Sequence, residues 1–262
     1  MRPTVLLISI LSILAATAAA GEIGVPDNSP TTGAACNAIP WSSSFMKGEA
    51  GYQTLLPASM LGGKAVVIKD ISFACCTTSP ANLVATTLKI TIAHTTATAL
   101  NATWATNLAK DATVVFNGKA NFAGVYQTWT PVGLTGKFRY NGTDSLVIEL
   151  RYIGATGGFS CYRVNNLPKS YASGVGAFNA TTGGVSTSGL KVQLNTEDTN
   201  LTLSGSPIPG GTVLLDISAA SDAGLGYQVG SSFGKGPIAI CCLKLELSVD
   251  PLLEVTVGNK LP

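Results

Sequence analysis

The sequence contains few charged residues, since Asp, Glu, Lys and Arg together make up 11% of its 262 residues. Globular domains usually reach about 25%. The Lys and Arg residues are scattered, and the net charge is only +2. Nucleic-acid binding needs a basic stripe that releases phosphate counterions. We therefore expect no nucleic-acid partner.

The residues that most often carry catalysis are also scarce, because His94 is the only histidine. It ends the alternating stretch LKITIAHT on the apolar face, which favours a structural histidine at the edge of a core. The pattern G-x-S-x-G occurs once, as GSSFG at residues 230–234, but a strand-like run follows it instead of the helix that a nucleophile elbow requires. The glycine-rich run GYQVGSSFGKGP lacks the spacing and the hydroxyl of a phosphate-binding Walker loop. We expect no catalytic residue, no cofactor and no enzymatic activity.

Long apolar runs are missing except near the N-terminus, where residues 5–14 are almost entirely apolar. Arg2 precedes this run and Ala18, Ala19 and Ala20 follow it, which is the layout of a secretory signal peptide. We predict a signal peptide over residues 1–20, cleaved after Ala20. No later run reaches the ~20 residues of a spanning helix. The mature protein is expected to be secreted or at the cell surface, without a membrane span.

The cysteines are even in number, which in an exported chain favours disulfides and leaves their pairing open. Neighbouring residues on a strand point to opposite faces, so each adjacent pair should send one sulfur into the core and one outward. The metal-binding C-x-x-C spacing is absent, and we expect no metal site. The disulfide candidates are Cys36, Cys75, Cys76, Cys161, Cys241 and Cys242.

Strand alternation replaces helical periodicity almost everywhere after Gly21. The stretch LKITIAHT places Leu88, Ile90 and Ile92 on one face and polar or small residues on the other, as in a half-buried strand. The dipeptides Asn117-Gly118 and Asn141-Gly142 follow strand-like runs and are typical of hairpin turns. Strands without intervening helices indicate an all-β protein built as an antiparallel, jelly-roll-like sandwich.

Composition changes in the second half of the chain. Residues 166–189 are rich in Gly, Ser and Thr and low in aliphatic side chains, which predicts a flexible connection. The preceding residues 21–165 would form the jelly-roll-like sandwich. The following residues 190–262 contain several strand-like runs and would form a small C-terminal β module.

Trp104 is the candidate ligand contact of this sequence. It lies in LNATWATNLAKD, surrounded by small polar residues, which favours an exposed loop. Sugars stack on exposed aromatic rings, so Trp104 raises the alternative of a carbohydrate-binding module.

The C-terminal part resembles a module found in uncharacterised secreted proteins of environmental bacteria. The likeness rests on the PGGT turn, the YQVGSS segment, the GKGPI loop and the LELSVDPLL strand, and covers roughly residues 200–258. The segment 52–151 resembles the jelly-roll-like sandwiches that often precede such modules. Members of this group continue with a further β segment, whereas this sequence stops at Pro262. The resemblance therefore implies an open C-terminal edge that could accept a strand from a partner.

These observations favour a non-enzymatic secreted or cell-surface protein that acts through assembly, adhesion or matrix contacts. Strand addition at the open C-terminal edge is one expected route to self-association. The alternatives are a carbohydrate-binding module that contacts glycans, and a secreted hydrolase whose carboxylates are brought together only by the fold.

Overall fold

The protein is all-β, and its paired strands are antiparallel. The computed structural model describes residues 20–108 and 111–197, followed by strand residues at 199–205, 213–219, 228–229, 237–240, 243–246 and 255–256. The predicted signal peptide lies outside the described residues, except for Ala20. The chain divides into two units, Ala19–Asp198 and a second unit that contains the strands after Asp198.

The described residues of the unit Ala19–Asp198 include the α-helix α1 (Ser43–Met46) and short 3₁₀ helices at Ala58–Met60, Trp104–Thr106 and Ala177–Asn179. Its strands are β1 (Ala20–Val25), β2 (Ala35–Asn37), β3 (Ala50–Leu56), β4 (Val66–Ala74), β5 (Asn82–Thr95), β6 (Thr113–Ala123), β7 (Trp129–Pro131), β8 (Phe138–Tyr140), β9 (Ser145–Ile153), β10 (Cys161–Arg163), β11 (Lys169–Ser173), β12 (Gly184–Ser186) and β13 (Val192–Glu197).

Two sheets form a sandwich around one apolar core. The five-stranded sheet has the order β1-β13-β4-β7, with β8 also paired to β4, and the six-stranded sheet has the order β12-β11-β3-β9-β5-β6. Strands β2 and β10 form a separate pair. Alternate residues of both sheets meet in the core, for example Phe73 and Leu194 from one and Ile90 and Ile148 from the other. The predicted antiparallel sandwich is therefore confirmed at the level of two packed sheets, and the jelly-roll detail stays a prediction.

The six-stranded sheet is buried on both faces in its middle. Leu88, Ile90 and Ile92 point into the core as predicted, but Thr91 and Ala93 on the opposite face are buried as well. A cover formed by residues 100–108 and 177–183 accounts for this burial, because it is hydrogen-bonded to the outer face of β3, β9 and β11. The half-buried strand predicted from alternation is thus wrong on its second face.

The two Asn-Gly dipeptides have different fates. Gly142 has φ +81 and lies in the turn between β8 and β9, as the sequence predicts. Asn117 and Gly118 instead continue β6, where they pair with Lys89 and Leu88 of β5. The register of the β5–β6 pairing shifts at a β-bulge on either side of these two residues. Because Asn117 and Gly118 are paired strand residues, the expected hairpin turn at Asn117-Gly118 is wrong.

The predicted domain boundary also needs correction. Residues 166–189 contain β11 and β12, which pair with each other, while β11 also pairs with β3. Strand β13, assigned by sequence to the C-terminal module, pairs with β1 and β4 inside the sandwich. Its buried Val192 and Leu194 fill the core, so removing it would uncover the five-stranded sheet. The boundary therefore follows Asp198, and residues 166–189 are not a free connection.

The second unit consists, in its described residues, of antiparallel strand pairs. The predicted strands are present as β14 (Thr199–Gly205) with β15 (Val213–Ala219), β16 (Gln228–Val229) with β19 (Val255–Thr256), and β17 (Pro237–Ile240) with β18 (Leu243–Glu246). The expected open edge near Pro262 lies outside the described residues. None of the helices in the described part of the chain has the length and apolar character that a membrane crossing requires.

Candidate functional site

An open cleft of about 470 Å³ lies where the end of β5 meets the segment before β6 and the turn after β8. Most of the residues that line the cleft carry a hydroxyl, amide or carboxylate group. We call it the His94 cleft, and the side chains that matter below are His94, Thr96, Thr106, Asp111, Asn141 and Asp144.

Both ring nitrogens of His94 are engaged. The backbone N–H of Asn141 donates to Nε2 over 3.1 Å, so this nitrogen must carry the lone pair. The proton of the neutral ring then lies on Nδ1, which donates to the Asp111 carboxylate. The ring also packs 4.9 Å from Phe138 and 5.9 Å from Tyr140, measured between centroids. The structure confirms the predicted histidine at the edge of the core and leaves no ring nitrogen free to act as a base.

The turn after β8 supplies the other side of the cleft. The Asn141 side-chain oxygen accepts from the backbone N–H groups of Thr143 and Asp144, at 2.9 and 3.0 Å. Its amide nitrogen donates to the Asp144 carboxylate over 2.7 Å. The Asp111 side chain is 46% exposed, and Thr96 is exposed. The cleft can therefore hydrogen-bond a polar ligand through its carboxylates and hydroxyls.

Trp104 is not on the surface, and the predicted ligand contact is corrected. It is 1% exposed, and its Nε1 donates to Ser170 Oγ over 2.7 Å. The ring fits because Gly51 and Gly183 have no side chains, since a Cβ on either glycine would clash with it. The small polar neighbours that suggested an exposed loop are the cover itself, which closes Trp104 against the six-stranded sheet.

A buried polar cluster surrounds Trp104, and sequence reasoning missed it. Glu149 and Arg151 form a two-point ion pair, with Nε to Oε1 at 2.7 Å and Nη2 to Oε2 at 3.0 Å. Gln53 donates to Glu149 over 2.7 Å and accepts from Asn107 over 2.7 Å. The Arg151 guanidinium lies 4.7 Å from the Trp104 ring centre. We call these five residues the Glu149 cluster.

The Glu149 cluster fastens the cover to the sheet. Arg151 Nη1 donates to the carbonyls of Phe178 and Ala180, at 2.9 and 2.8 Å. Gln53 also donates to the Trp104 carbonyl over 3.2 Å. The alternation of Glu149 and Arg151 in β9 was the available signal, because charged residues in a central strand must either face solvent or pair under a cover.

The cysteines are only partly paired in the structure. Cys36 and Cys76 form a disulfide, with their Cα atoms 5.9 Å apart. Cys75 belongs to the apolar core, as predicted for one member of each adjacent pair, but Cys76 is buried as well, at 7% exposed, and does not point outward. Cys75 and Cys161 are buried thiols. Burial raises the pKa of Cys75, and burial together with the nearby Cys75 raises the pKa of Cys161 well above its ordinary value. The candidates Cys241 and Cys242 lie outside the described residues.

Two exposed apolar side chains stand at one end of the six-stranded sheet. Phe45 is 57% exposed in α1, and Val175 is 100% exposed in a turn between two glycines with φ +84 and +87. The hydrogen bond from Gly174 N to Met46 O, 3.0 Å, joins their chain neighbours. We call Phe45 and Val175 the apolar tip. The isolated valine in SGVGA and the phenylalanine in SSSFMK were its sequence signals.

Neither a cluster of metal-binding side chains nor a known relative identifies the chemistry of this site. Among the described residues no group of three or more His, Cys, Asp or Glu side chains is placed to hold a metal ion. No protein-family model matches the chain, no curated protein matches its sequence, and no solved structure matches it. The resemblance to secreted bacterial proteins therefore stays a prediction.

Proposed function

We propose that the protein is a non-enzymatic, exported β-protein that works through assembly or adhesion, with the apolar tip as a contact surface. Export rests on the N-terminal sequence pattern. The contact role rests on a single observation, two exposed apolar side chains on segments that a backbone hydrogen bond joins.

Single exposed apolar residues are ordinary, so the support comes from how this pair is held. Besides its bond to Met46 O, Gly174 N donates to the carbonyl of Glu49. Gly176 N donates to the Glu49 carboxylate over 2.8 Å. A turn fixed in this way loses little conformational entropy when it binds. Burying a valine or phenylalanine contributes about 1.5–3 kcal/mol, which only an apolar partner surface can supply here.

The candidate catalytic groups favour a non-enzymatic role. His94 uses both nitrogens within the fold, and Glu149 is saturated by Arg151 and Gln53. A hydrolase needs a carboxylate or nucleophile that faces substrate. The carboxylates of the His94 cleft are Asp111 and Asp144, and each already accepts a hydrogen bond from a neighbouring side chain.

Light scattering coupled to size-exclusion chromatography tests self-association through the apolar tip. The full chain is expressed in a host that exports it through an oxidising compartment. We expect the wild type to form larger species as concentration rises, and the variant Phe45→Ser/Val175→Ser to remain smaller. Val185→Ser is the matched control, because Val185 is 49% exposed but lies in β12. Equal association of all three proteins would contradict the tip and favour strand addition at the C-terminal module. Monomers at every concentration would exclude self-assembly.

The second candidate is a carbohydrate-binding protein, and the observation that favours it is the polar His94 cleft. Hydroxyl, amide and carboxylate groups are the usual hydrogen-bonding partners of small polar ligands. A glycan array with the wild type and Thr96→Val tests it, because Thr96 is exposed and lines the cleft. We expect a glycan binder to lose signal in Thr96→Val. Binding that survives this change, or no binding at all, would reject the cleft as a sugar site.

A further inference from the structure

Two buried thiols belong to paired residues at the end of the sandwich that holds the Cys36–Cys76 disulfide. Cys75 directly follows β4, and Cys161 begins β10. They are paired residues of an isolated antiparallel bridge. Both are fully buried in the same apolar core. Their positions are fixed by the backbone rather than by a mobile loop.

The hydrogen bonds identify the type of pairing. Cys76 N donates to Ser160 O over 2.9 Å, so the bond joins the residues flanking the bridge. The backbone N–H and C=O of Cys75 instead bond to Thr128 and Gln127. Cys75 and Cys161 are therefore a non-hydrogen-bonded antiparallel pair, in which Cα atoms lie about 4.5 Å apart and side chains approach most closely. Disulfides span Cα separations of about 4.4–6.8 Å.

We propose that Cys75 and Cys161 form a second disulfide in the exported protein, beside Cys36–Cys76. The co-reactant is a disulfide-containing oxidant, and the chemistry is thiol–disulfide exchange. One cysteine thiolate attacks the oxidant and gives a mixed disulfide, releasing the first oxidant thiolate. The other cysteine thiolate then attacks the mixed disulfide and releases the second. The two cysteine protons pass to the oxidant, which leaves as a dithiol.

Burial decides when this step happens. A Cβ on Gly124 would lie 2.8 Å from Cys75 Sγ, so the chain passes directly over the sulfur. Burial raises the pKa of both thiols, and exchange requires the thiolate. The bond therefore forms before the core closes. A chain that folds without the oxidant keeps two thiols that are shielded from later oxidation.

The pairing joins three short segments. Strand β2 pairs with β10, and Tyr162 lies opposite Cys36. The Cys36–Cys76 disulfide links β2 to the residue pair Cys75-Cys76 that follows β4. The proposed disulfide links the same two-residue segment to β10. Each of the four cysteines then has one partner, and no disulfide joins the adjacent residues Cys75 and Cys76.

Peptide mapping of the full chain, exported from an oxidising host, tests the proposal. The protein is alkylated under denaturing conditions without reductant, digested with trypsin and analysed by mass spectrometry. Residues 70–89 form one tryptic peptide that contains Cys75 and Cys76, and residues 152–163 form the peptide that contains Cys161. We expect one species in which 70–89 is linked both to 152–163 and to the peptide that contains Cys36.

The variant Cys36→Ser/Cys76→Ser assigns the bond. Its 70–89 peptide contains only Cys75, and we expect this peptide to stay linked to 152–163. The same variant with Cys75→Ser added is the control and should lose that link. An alkylated Cys161 in the wild type would overturn the proposal, and so would its linkage to Cys241 or Cys242. The wild-type map distinguishes these outcomes even if the variants do not fold.

Discussion

The Glu149 cluster and the His94 cleft contain similar chemistry but differ in their access to water. Each pairs a carboxylate with a nitrogen-containing donor, the Arg151 guanidinium or the His94 imidazole, and Asn107 belongs to both, since it donates to Gln53 and also lines the cleft. Glu149 is 5% exposed and its pairing is closed by Arg151 and Gln53. In the cleft the Asp111 side chain is 46% exposed.

The difference separates a structural role from a binding role. A buried carboxylate must have its charge and lone pairs satisfied by the protein, which leaves nothing for a ligand. A half-exposed carboxylate exchanges partners with water at little cost and can bind a polar ligand instead. Closure also makes the Glu149 cluster the more sensitive of the two to substitution.

Breaking the closed cluster should have the largest effect. Glu149→Leu leaves the largely buried Arg151 guanidinium without its counter-charge and removes one of the two acceptors of the Gln53 amide nitrogen. We expect the free energy of unfolding to fall by about 3–5 kcal/mol in urea titrations. The double variant Glu149→Leu/Arg151→Met should regain part of the loss, because it removes the unpaired charge.

The matched control is the ion pair between Lys137 and Glu197, 2.8 Å apart, in which the Lys137 side chain is 34% exposed. Lys137→Met should cost less than about 1 kcal/mol. If Glu149→Leu lowers the free energy of unfolding no more than Lys137→Met does, the Glu149–Arg151 ion pair does not stabilise the fold more than an exposed ion pair.

Removing the Trp104 hydrogen bond should have the next largest effect. Trp104→Phe keeps an aromatic ring under the cover but leaves Ser170 without its donor and part of the space unfilled. We expect a loss of about 2 kcal/mol in the free energy of unfolding. Trp129→Phe is the control, since its Nε1 donates to Asn28 O at an exposed site, and should cost less. Equal losses would mean that the cover does not stabilise the sheet.

Sequence alone predicted the features that depend on neighbouring residues. Alternation identified Ile90 and Ile92 as core residues of β5, and the Asn-Gly dipeptide before Asp144 correctly placed a turn. These signals are local, because a strand alternates whatever it pairs with.

Features that depend on distant segments were not predictable in this way. The burial of Trp104 requires Gly51 of β3 and Gly183 of the cover, which are far apart in the sequence. The same holds for β13, whose membership of the sandwich rests on pairing with β1 at the other end of the unit. In the candidate site, the role of His94 was predictable from alternation, whereas its partner Asp111 was not.

Lys169 is a buried charged residue outside both the Glu149 cluster and the His94 cleft. Lys169 is 5% exposed, and its Nζ lies 5.5 Å from the Tyr171 ring centre. Burial, with the nearby Arg163, lowers the pKa of Lys169 to about 8. The unfolded chain keeps the ordinary higher pKa, so between pH 8 and 10 it binds the proton more tightly than the folded protein. Stability should therefore rise with pH across this window.

Lys169→Met tests this charge, and we expect it to gain on the order of 2 kcal/mol at pH 7. The gain should shrink from pH 8 to pH 10 in urea titrations, as wild-type Lys169 loses its proton. Burial also raises the pKa of Tyr52 to about 12. Above pH 10 the unfolded chain therefore loses this proton before the folded protein does, so the stability of both proteins falls as the pH rises. Exposed Lys119→Met is the control and should change little. A gain independent of pH would point to packing instead of charge.

The smallest effect should come from the open cleft. Asp111 accepts from both the backbone N–H and Nδ1 of His94 through its two oxygens. Asp111→Asn has one side-chain oxygen, so one of these two bonds is lost. Because the side chain is half exposed and water can replace the partner, we expect a cost of about 1 kcal/mol or less.

Nitrogen-15 NMR of the His94 imidazole shows which ring nitrogen carries the proton in Asp111→Asn. The Asn141 N–H still holds Nε2 as an acceptor, so the ring in Asp111→Asn should keep its proton on Nδ1. A switch of the proton to Nε2 would mean that Asp111, and not Asn141, fixes the tautomer. His94 would then be free to change partners, and the cleft would regain the base that its present hydrogen bonds exclude.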